Sequence, residues 1–191
     1  MKKLILFFVI ICCVACGSDP VPKPKAFLRL DYPKQNYQRV QTTLPFSFEK
    51  NDFAENINGV KTSRDKKSSG VDINYPSLKG TIYLTYKEIE NGDLTPYLRD
   101  AQNMTQKHSQ RADEIIEQPY INSENNVYGM FYEVGGNAAS QSQFYVTDSI
   151  RHFITGSLYF YAKPNYDSIL PAAHYLKEDI KHLMETIKWD N

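Results

Sequence analysis

The chain has 191 residues, 22 basic and 22 acidic side chains, a formal net charge of zero and three cysteines. That balance excludes the basic surface of a nucleic-acid binder. Because Cys12, Cys13 and Cys16 all lie near the N-terminus, the rest of the chain has neither a disulfide nor a thiol nucleophile, and its length suits one domain held by its own core.

Lys2 and Lys3 precede an uncharged apolar stretch from Leu4 to Val14, the pattern of an export signal. The stretch is shorter than the roughly 20 apolar residues that span a bilayer. Ala15 before Cys16 supplies the small residue of a lipoprotein processing site. Residues 1–15 are therefore expected to be removed, leaving Cys16 acylated, with palmitate or a similar chain, as the new N-terminus. Cleavage before Cys13 would put Cys12 behind bulky Ile10 and Ile11. Without Lys2 and Lys3 the mature chain has 20 basic against 22 acidic groups, a formal charge of −2. Residues 16–26 hold Pro20, Pro22 and Pro24 and read as an extended tether of about 3.1 Å per residue, spanning roughly 30 Å at most. Residues 27–191 are then the single folded domain.

Alternation of apolar and polar residues predicts strands at 45–50, with Phe46 and Phe48 on one face, at 71–75, and at 81–88, where Ile82, Leu84 and Tyr86 alternate with Thr81, Tyr83 and Thr85. Tyr75-Pro76 through Gly80 makes the turn of a hairpin between the last two. Residues 57–70, with Lys66, Lys67, Ser68 and Ser69 in a row, read as a mobile polar surface loop. Leu94, Leu98, Ala101, Met104 and Thr105 recur at helical spacing, giving an amphipathic helix over 94–112 with Asp93 or Thr95 as N-cap and Pro96 in the first turn.

Three strands follow at 127–134, 143–147 and 151–162, joined by Gly135-Gly136-Asn137 and Asp148-Ser149. Such short connections imply antiparallel neighbours. A last helix over 166–188 carries Ile169, Ala173, Leu176, Ile180, Leu183 and Ile187 on one stripe. The order predicts an α+β domain, a twisted antiparallel sheet with two main helices packed on it. By element order it looks like the Mog1/PsbP-type sandwich, as an analogy. The 14 tyrosines and 10 phenylalanines read first as core and sheet surface, although Tyr-rich faces also serve interfaces.

Few residues suggest chemistry. His174, Glu178 and His182 fall at i, i+4 and i+8, opposite the apolar stripe, but the path of about 12 Å along the helix is too long for one ion, so the reading is a solvated helix face and no metal. Asp148, Ser149 and His152 are close in sequence, yet Asp148-Ser149 sits where a hairpin needs turn formers and no G-x-S-x-G elbow occurs. His108, on the apolar side of the first helix, reads as a core histidine bonded to the sheet. The segment from Gly135 to Ser140 follows a strand without opening a helix, so it is no phosphate cradle. It reads as a tight turn with positive φ, or as a low surface that another chain can approach closely. No catalytic residue and no cofactor is expected.

The segments PKPK with RLDYP (22–33), LPFSFEK (44–50), DINYPSLKG (72–80), GNAAS (136–140), QFYVTDS (143–149), HFITGSLYF (152–160) and KEDIKHLMETIKW near the C-terminus resemble the GldD family of gliding motility lipoproteins of the Bacteroidetes. Ala26-Phe27-Leu28 and the lone acid Asp19 depart from it. The resemblance implies a lipid-anchored accessory of the gliding apparatus and of the type IX secretion system that shares its components, facing the periplasm and acting by protein binding. On that footing the partner-binding face is expected to join 72–76, 136–140 and 147–152, through Asp72, Asn74, Asn137, Ser140, Asp148, Ser149 and His152. Two other classes compete: a solute-binding lipoprotein, which needs a pocket with convergent polar groups, and an envelope hydrolase, which needs a nucleophile such as Ser149.

Overall fold

In the computed structural model, described here for residues 30–109, 112–161 and 166–190, the elements in chain order are β1 (Tyr37–Gln41), β2 (Phe46–Asn51), β3 (Lys61–Thr62), β4 (Ser69–Tyr75), β5 (Gly80–Glu88), α1 (Thr95–Ser109), β6 (Ala112–Asn122), β7 (Val127–Gly136), β8 (Ser140–Thr147), β9 (His152–Phe160), α2 (Tyr166–Glu185) and β10 (Lys188–Trp189). The expected signal, Cys16 and the tether lie outside the described residues.

β4 and β5 form the predicted hairpin, antiparallel from Ser69↔Tyr86 to Tyr75↔Gly80. Its turn is a short 3-10 segment, Pro76–Leu78, closed by Lys79 in the left-handed region at φ +51°. β7, β8 and β9 are antiparallel neighbours, as their short connections require. They belong to a seven-stranded sheet of order β3-β4-β5-β9-β8-β7-β6, beside a three-stranded sheet of order β1-β2-β10.

Side-chain alternation gives the large sheet two different faces. Phe144, Val146, Ile154 and Leu158, with Ile82 and Leu84, join Leu176, Ile180, Leu183 and Met184 of α2 and Phe46 and Phe48 of β2 in the main core. Their neighbours Tyr145 and Phe153 belong to a smaller cluster on the opposite face, with Leu94 just before α1 and Tyr97, Leu98 and Ala101 of α1. The result is a sheet with α2 and the small sheet on one side and α1 on the other. Leu176, Ile180 and Leu183 are each at most 2 % exposed, and burying each contributes about 2 kcal/mol of transfer free energy.

Several boundaries differ from the sequence pattern. α1 ends at Ser109 and the chain re-forms as β6, paired with β7 from Ala112↔Gly136 to Asn122↔Val127. Asp113, Glu114, Glu117 and Pro119 mask that strand in the sequence, and its place at the sheet edge is where a proline is tolerated. α2 stops three residues short of the expected Lys188. The Thr186 hydroxyl donates back to the carbonyls of His182 and Leu183, and Lys188 and Trp189 pair with Ser47 and Phe46. Residues 57–70 are not wholly loop, since Lys61 and Thr62 pair with Gly70 and Ser69. Gly136, at φ +86°, has the positive φ expected of the β7–β8 connection, and a Cβ there would lie 2.8 Å from Asp113. His108 lies in α1, but its side-chain surroundings fall outside the described residues.

Candidate functional site

α1 crosses its face of the sheet over β6, β7 and β8, where Thr105 donates to the Gln143 side-chain carbonyl at 3.2 Å. α1 reaches β5 only at its far end, where Asp100 pairs with Lys87; among the described residues no α1 contact is seen over the hairpin end of β4 and β5 and the adjoining C-terminal end of β9. Register sets Asn74, Thr81, Tyr159 and Ser140 in one row across four strands. The Thr81 hydroxyl, fully buried, donates to Asn74 Oδ1 at 3.0 Å and to the Tyr161 hydroxyl at 3.3 Å. Tyr161 and Tyr83 share a hydroxyl–hydroxyl hydrogen bond, and the Tyr83 and Tyr159 rings meet edge to face at 5.9 Å. Asp72 forms an ion pair with the exposed Lys61. Tyr161, 67 % exposed, crowns a patch that is aromatic in body and polar at its rim.

Asp72 and Asn74 therefore lie on this open face. Asn137 is in the β7–β8 turn at the same end of the strands, next to Ser140, but Ser140 is fully buried and donates to the Ser142 carbonyl at 3.1 Å. Ser140 therefore does not present its side chain to a partner.

Asp148, Ser149 and His152 are elsewhere. They occupy the β8–β9 turn, at the far end of the nine-residue strand β9, some 25 to 30 Å away at about 3.3 Å per residue. The three segments thus do not make the single face expected of them, because successive antiparallel turns fall at opposite ends of a strand. Asp148 Oδ1 accepts from the main-chain N–H groups of Ile150, Arg151 and His152 at 3.0, 2.8 and 2.8 Å. Burial pushes the Asp148 carboxyl up, but these donors outweigh it and hold the group below its ordinary range. Ser149 has φ +69° and its N–H donates to Thr147 Oγ1 at 2.9 Å. His152 points to the other face of the sheet, Nδ1 sharing a 2.9 Å hydrogen bond with the Tyr86 hydroxyl and its ring stacked on Trp189 at 5.1 Å. Burial pushes its pKa down. Asp148 is engaged in closing a turn and His152 in packing the seam between the two sheets, so neither is arranged to activate Ser149.

On α2, His174 and Glu178 are exposed. His182 is not on the same solvated face: its ring stacks on Tyr37 at 3.7 Å and its Nε2 meets Glu49 Oε2 at 2.9 Å. The small sheet, of which the sequence pattern showed only β2, is what covers it. Among the described residues no group of three His, Cys, Asp or Glu side chains is placed to hold a metal ion.

A polar cluster that sequence reasoning missed lies one position from that stripe. Asp179, 2 % exposed, accepts from the Tyr37 hydroxyl at 2.8 Å, from Gln35 Nε2 at 3.1 Å and from Asn51 Nδ2 at 3.0 Å, and also from the Tyr75 hydroxyl. Burial pushes its carboxyl above the ordinary carboxylate value, against the pull of these donors. The cluster ties the strand that first enters the domain to its last helix. An acid between Leu176 and Ile180, on the edge of an apolar stripe, is the one sequence signal that pointed to it.

Among the described residues no helix is long and apolar enough to cross a membrane. Comparison with curated proteins and with solved structures gives no match. The family model described as gliding motility lipoprotein GldD matches residues 17–189 of the 191, and on that match the chain belongs to the gliding motility lipoprotein GldD family.

Proposed function

We propose that the protein is an accessory of the gliding and type IX secretion machinery that works by binding another protein of the machine, without catalysis, while the lipid on Cys16 holds it to the membrane on the periplasmic side. The observation that carries the binding part is the open half of the sheet, where Tyr83, Tyr159 and Tyr161 stand beside Asp72 and Asn74. Tyrosine provides large amphipathic contact area and is enriched at protein interfaces. The patch is built on paired strands rather than on a loop, so a partner meets a preformed surface. The engaged state of Asp148 and His152 supports a binding role over hydrolysis. Membrane attachment follows from the family and from Ala15-Cys16, and the tether gives the domain the reach to meet a partner.

Asn74→Lys combined with Tyr161→Lys tests the reading. The two side chains are the acceptors of the buried Thr81 hydroxyl, so the double variant is expected to lose about 1 to 3 kcal/mol, a fall in melting temperature of roughly 2 to 12 °C that leaves the protein folded at growth temperature. Colony spreading and protein secretion are expected to fall to the level of a strain lacking the gene. A variant that is present at normal level and supports both activities would remove this face from the account, as would loss of activity traced to loss of the folded protein.

A further inference from the structure

On the side of the molecule that carries the small sheet, well away from the open face, a cavity of about 680 Å³ runs between β1 and residues 56–60. Gln38, Val40, Thr43, Lys50, Ile57 and Val60 contribute to its lining. β1 is the outer strand of its sheet, so one wall of the cavity is a strand with no described partner on that side. Lys50 lies opposite Gln38 in the register and shares the β2 face with Phe46 and Phe48.

Lys50 is 4 % exposed. Its Nζ donates to the main-chain carbonyls of Asn51, at 3.3 Å, and Ala54, at 3.1 Å. An ammonium has three donors, so two are used. Among the described residues no carboxylate lies within ion-pair distance of it. Glu49, next in sequence, points to the opposite face and pairs with Arg39 and His182, and Asp52 is bonded to Asn36 at the surface and reaches Lys50 only as a distant charge. Burial pushes the ammonium pKa down, as it does where a cation is left without a counter-charge. Buried charges are ordinarily paired, and this one, unpaired among the described residues, belongs to the lining of a cavity of ligand size.

We infer that this cavity binds a small amphipathic carboxylate, whose carboxyl group takes the free donor of Lys50 and whose apolar part lies against Val40, Ile57 and Val60. Gln38 and Thr43 flank the same space and suit the polar edge of such a molecule. This site is independent of the partner face, and either can fail without the other. A purely structural Lys50 would only tie the turn from Asn51 to Ala54.

The test is thermal unfolding of the full-length protein in nonionic detergent, with hexanoate and its uncharged isostere hexanamide as probes. Twenty millimolar hexanoate, on the order of 20 times a millimolar dissociation constant, is expected to raise the melting temperature by roughly 4 °C, and hexanamide to leave it unchanged. Lys50→Met removes the charge at similar length and is expected to abolish the response. Val60→Asp, on the half-exposed wall of the cavity, supplies a resident carboxylate to Lys50 and is expected to abolish it with the lysine intact, which carries the test should Lys50→Met fail to fold. No shift in the wild type, an equal shift with hexanamide, or an undiminished shift in either folded variant overturns the assignment.

Discussion

Asp179→Ala is expected to lower stability by about 3 kcal/mol, seen as a fall in melting temperature of roughly 6 to 12 °C. The residue is the common acceptor for Gln35, Tyr37, Asn51 and Tyr75. Gln35 and Asn51 keep a second acceptor, the carbonyl and the hydroxyl of Tyr175 respectively. Tyr37 and Tyr75 do not have one among the described contacts, and Tyr75 is 1 % exposed. A buried donor left without an acceptor costs its full desolvation, about 1 to 3 kcal/mol each. Asp179→Asn keeps one carbonyl acceptor and is expected to cost less than the alanine variant.

The pH dependence separates charge from hydrogen bonding at this residue. Burial raises the folded-state pKa of Asp179 above the ordinary carboxylate value. A raised pKa means that the folded state holds the proton more tightly, so the contribution is complete below the unfolded-state pKa of about 3.9 and is lost as pH rises through the folded value. The stability difference between wild type and Asp179→Asn is therefore expected to grow in favour of wild type as pH falls from 7 towards 4. Urea melts of both proteins at three pH values check this. A difference that shrinks on acidification would mean that the four donors outweigh burial and hold the carboxylate ionised.

Gly156→Ala is expected to cost about 3 kcal/mol. Gly156 is directly opposite Phe144 in the β8–β9 register, and the aromatic ring lies over it so closely that a Cβ would stand 2.0 Å from Phe144 Cε1. Phe144 is 2 % exposed in the main core, so the ring has nowhere to go without displacing its neighbours. Phe144→Leu removes the offending ring atoms. The double variant is expected to be more stable than Gly156→Ala alone, a coupling that thermal or urea melts read directly. Additive losses would show that the methyl group is accommodated by a backbone shift instead.

How much of this could be read in advance depended on whether an element carries its own period. The β4–β5 hairpin was legible because Val71, Ile73 and Tyr75 alternate against Ile82, Leu84 and Tyr86, and α2 because Leu176, Ile180 and Leu183 recur at helical spacing. β3 and β10 have two residues each, too few for any period, and exist only because β4 and β2 lie beside them. β1 is polar, Tyr-Gln-Arg-Val-Gln, and is a strand through its register with β2. The small sheet joins the local β1–β2 pair to β10 at the far end of the chain, and with it went the surroundings of His182, the Asp179 cluster and the Lys50 cavity.

The expected partner face failed in one respect that was open to reasoning from sequence. Residues 136–140 and 147–152 flank one strand, β8, and turns flanking a strand lie at its two ends. Asp72 and Asn74 could not be placed beside Ser140 in the same way, since their row runs through β9, a neighbour set by the order of strands in the sheet. The three tyrosines of the open face went unremarked because alternation marks them as the solvent side of a strand without saying which part of that side α1 leaves uncovered.

Deletion of the gene in its own host, complemented with wild type or with Cys16→Ala, tests the central claim most directly, with colony spreading and secretion of proteins into the medium as the two readouts. The account predicts that both fail in the deletion, return with wild type, and stay lost with Cys16→Ala even when the variant protein is present at normal level. Normal spreading and secretion without the gene would contradict a role in the machinery, and full rescue by Cys16→Ala would contradict the lipid anchor as part of its mechanism.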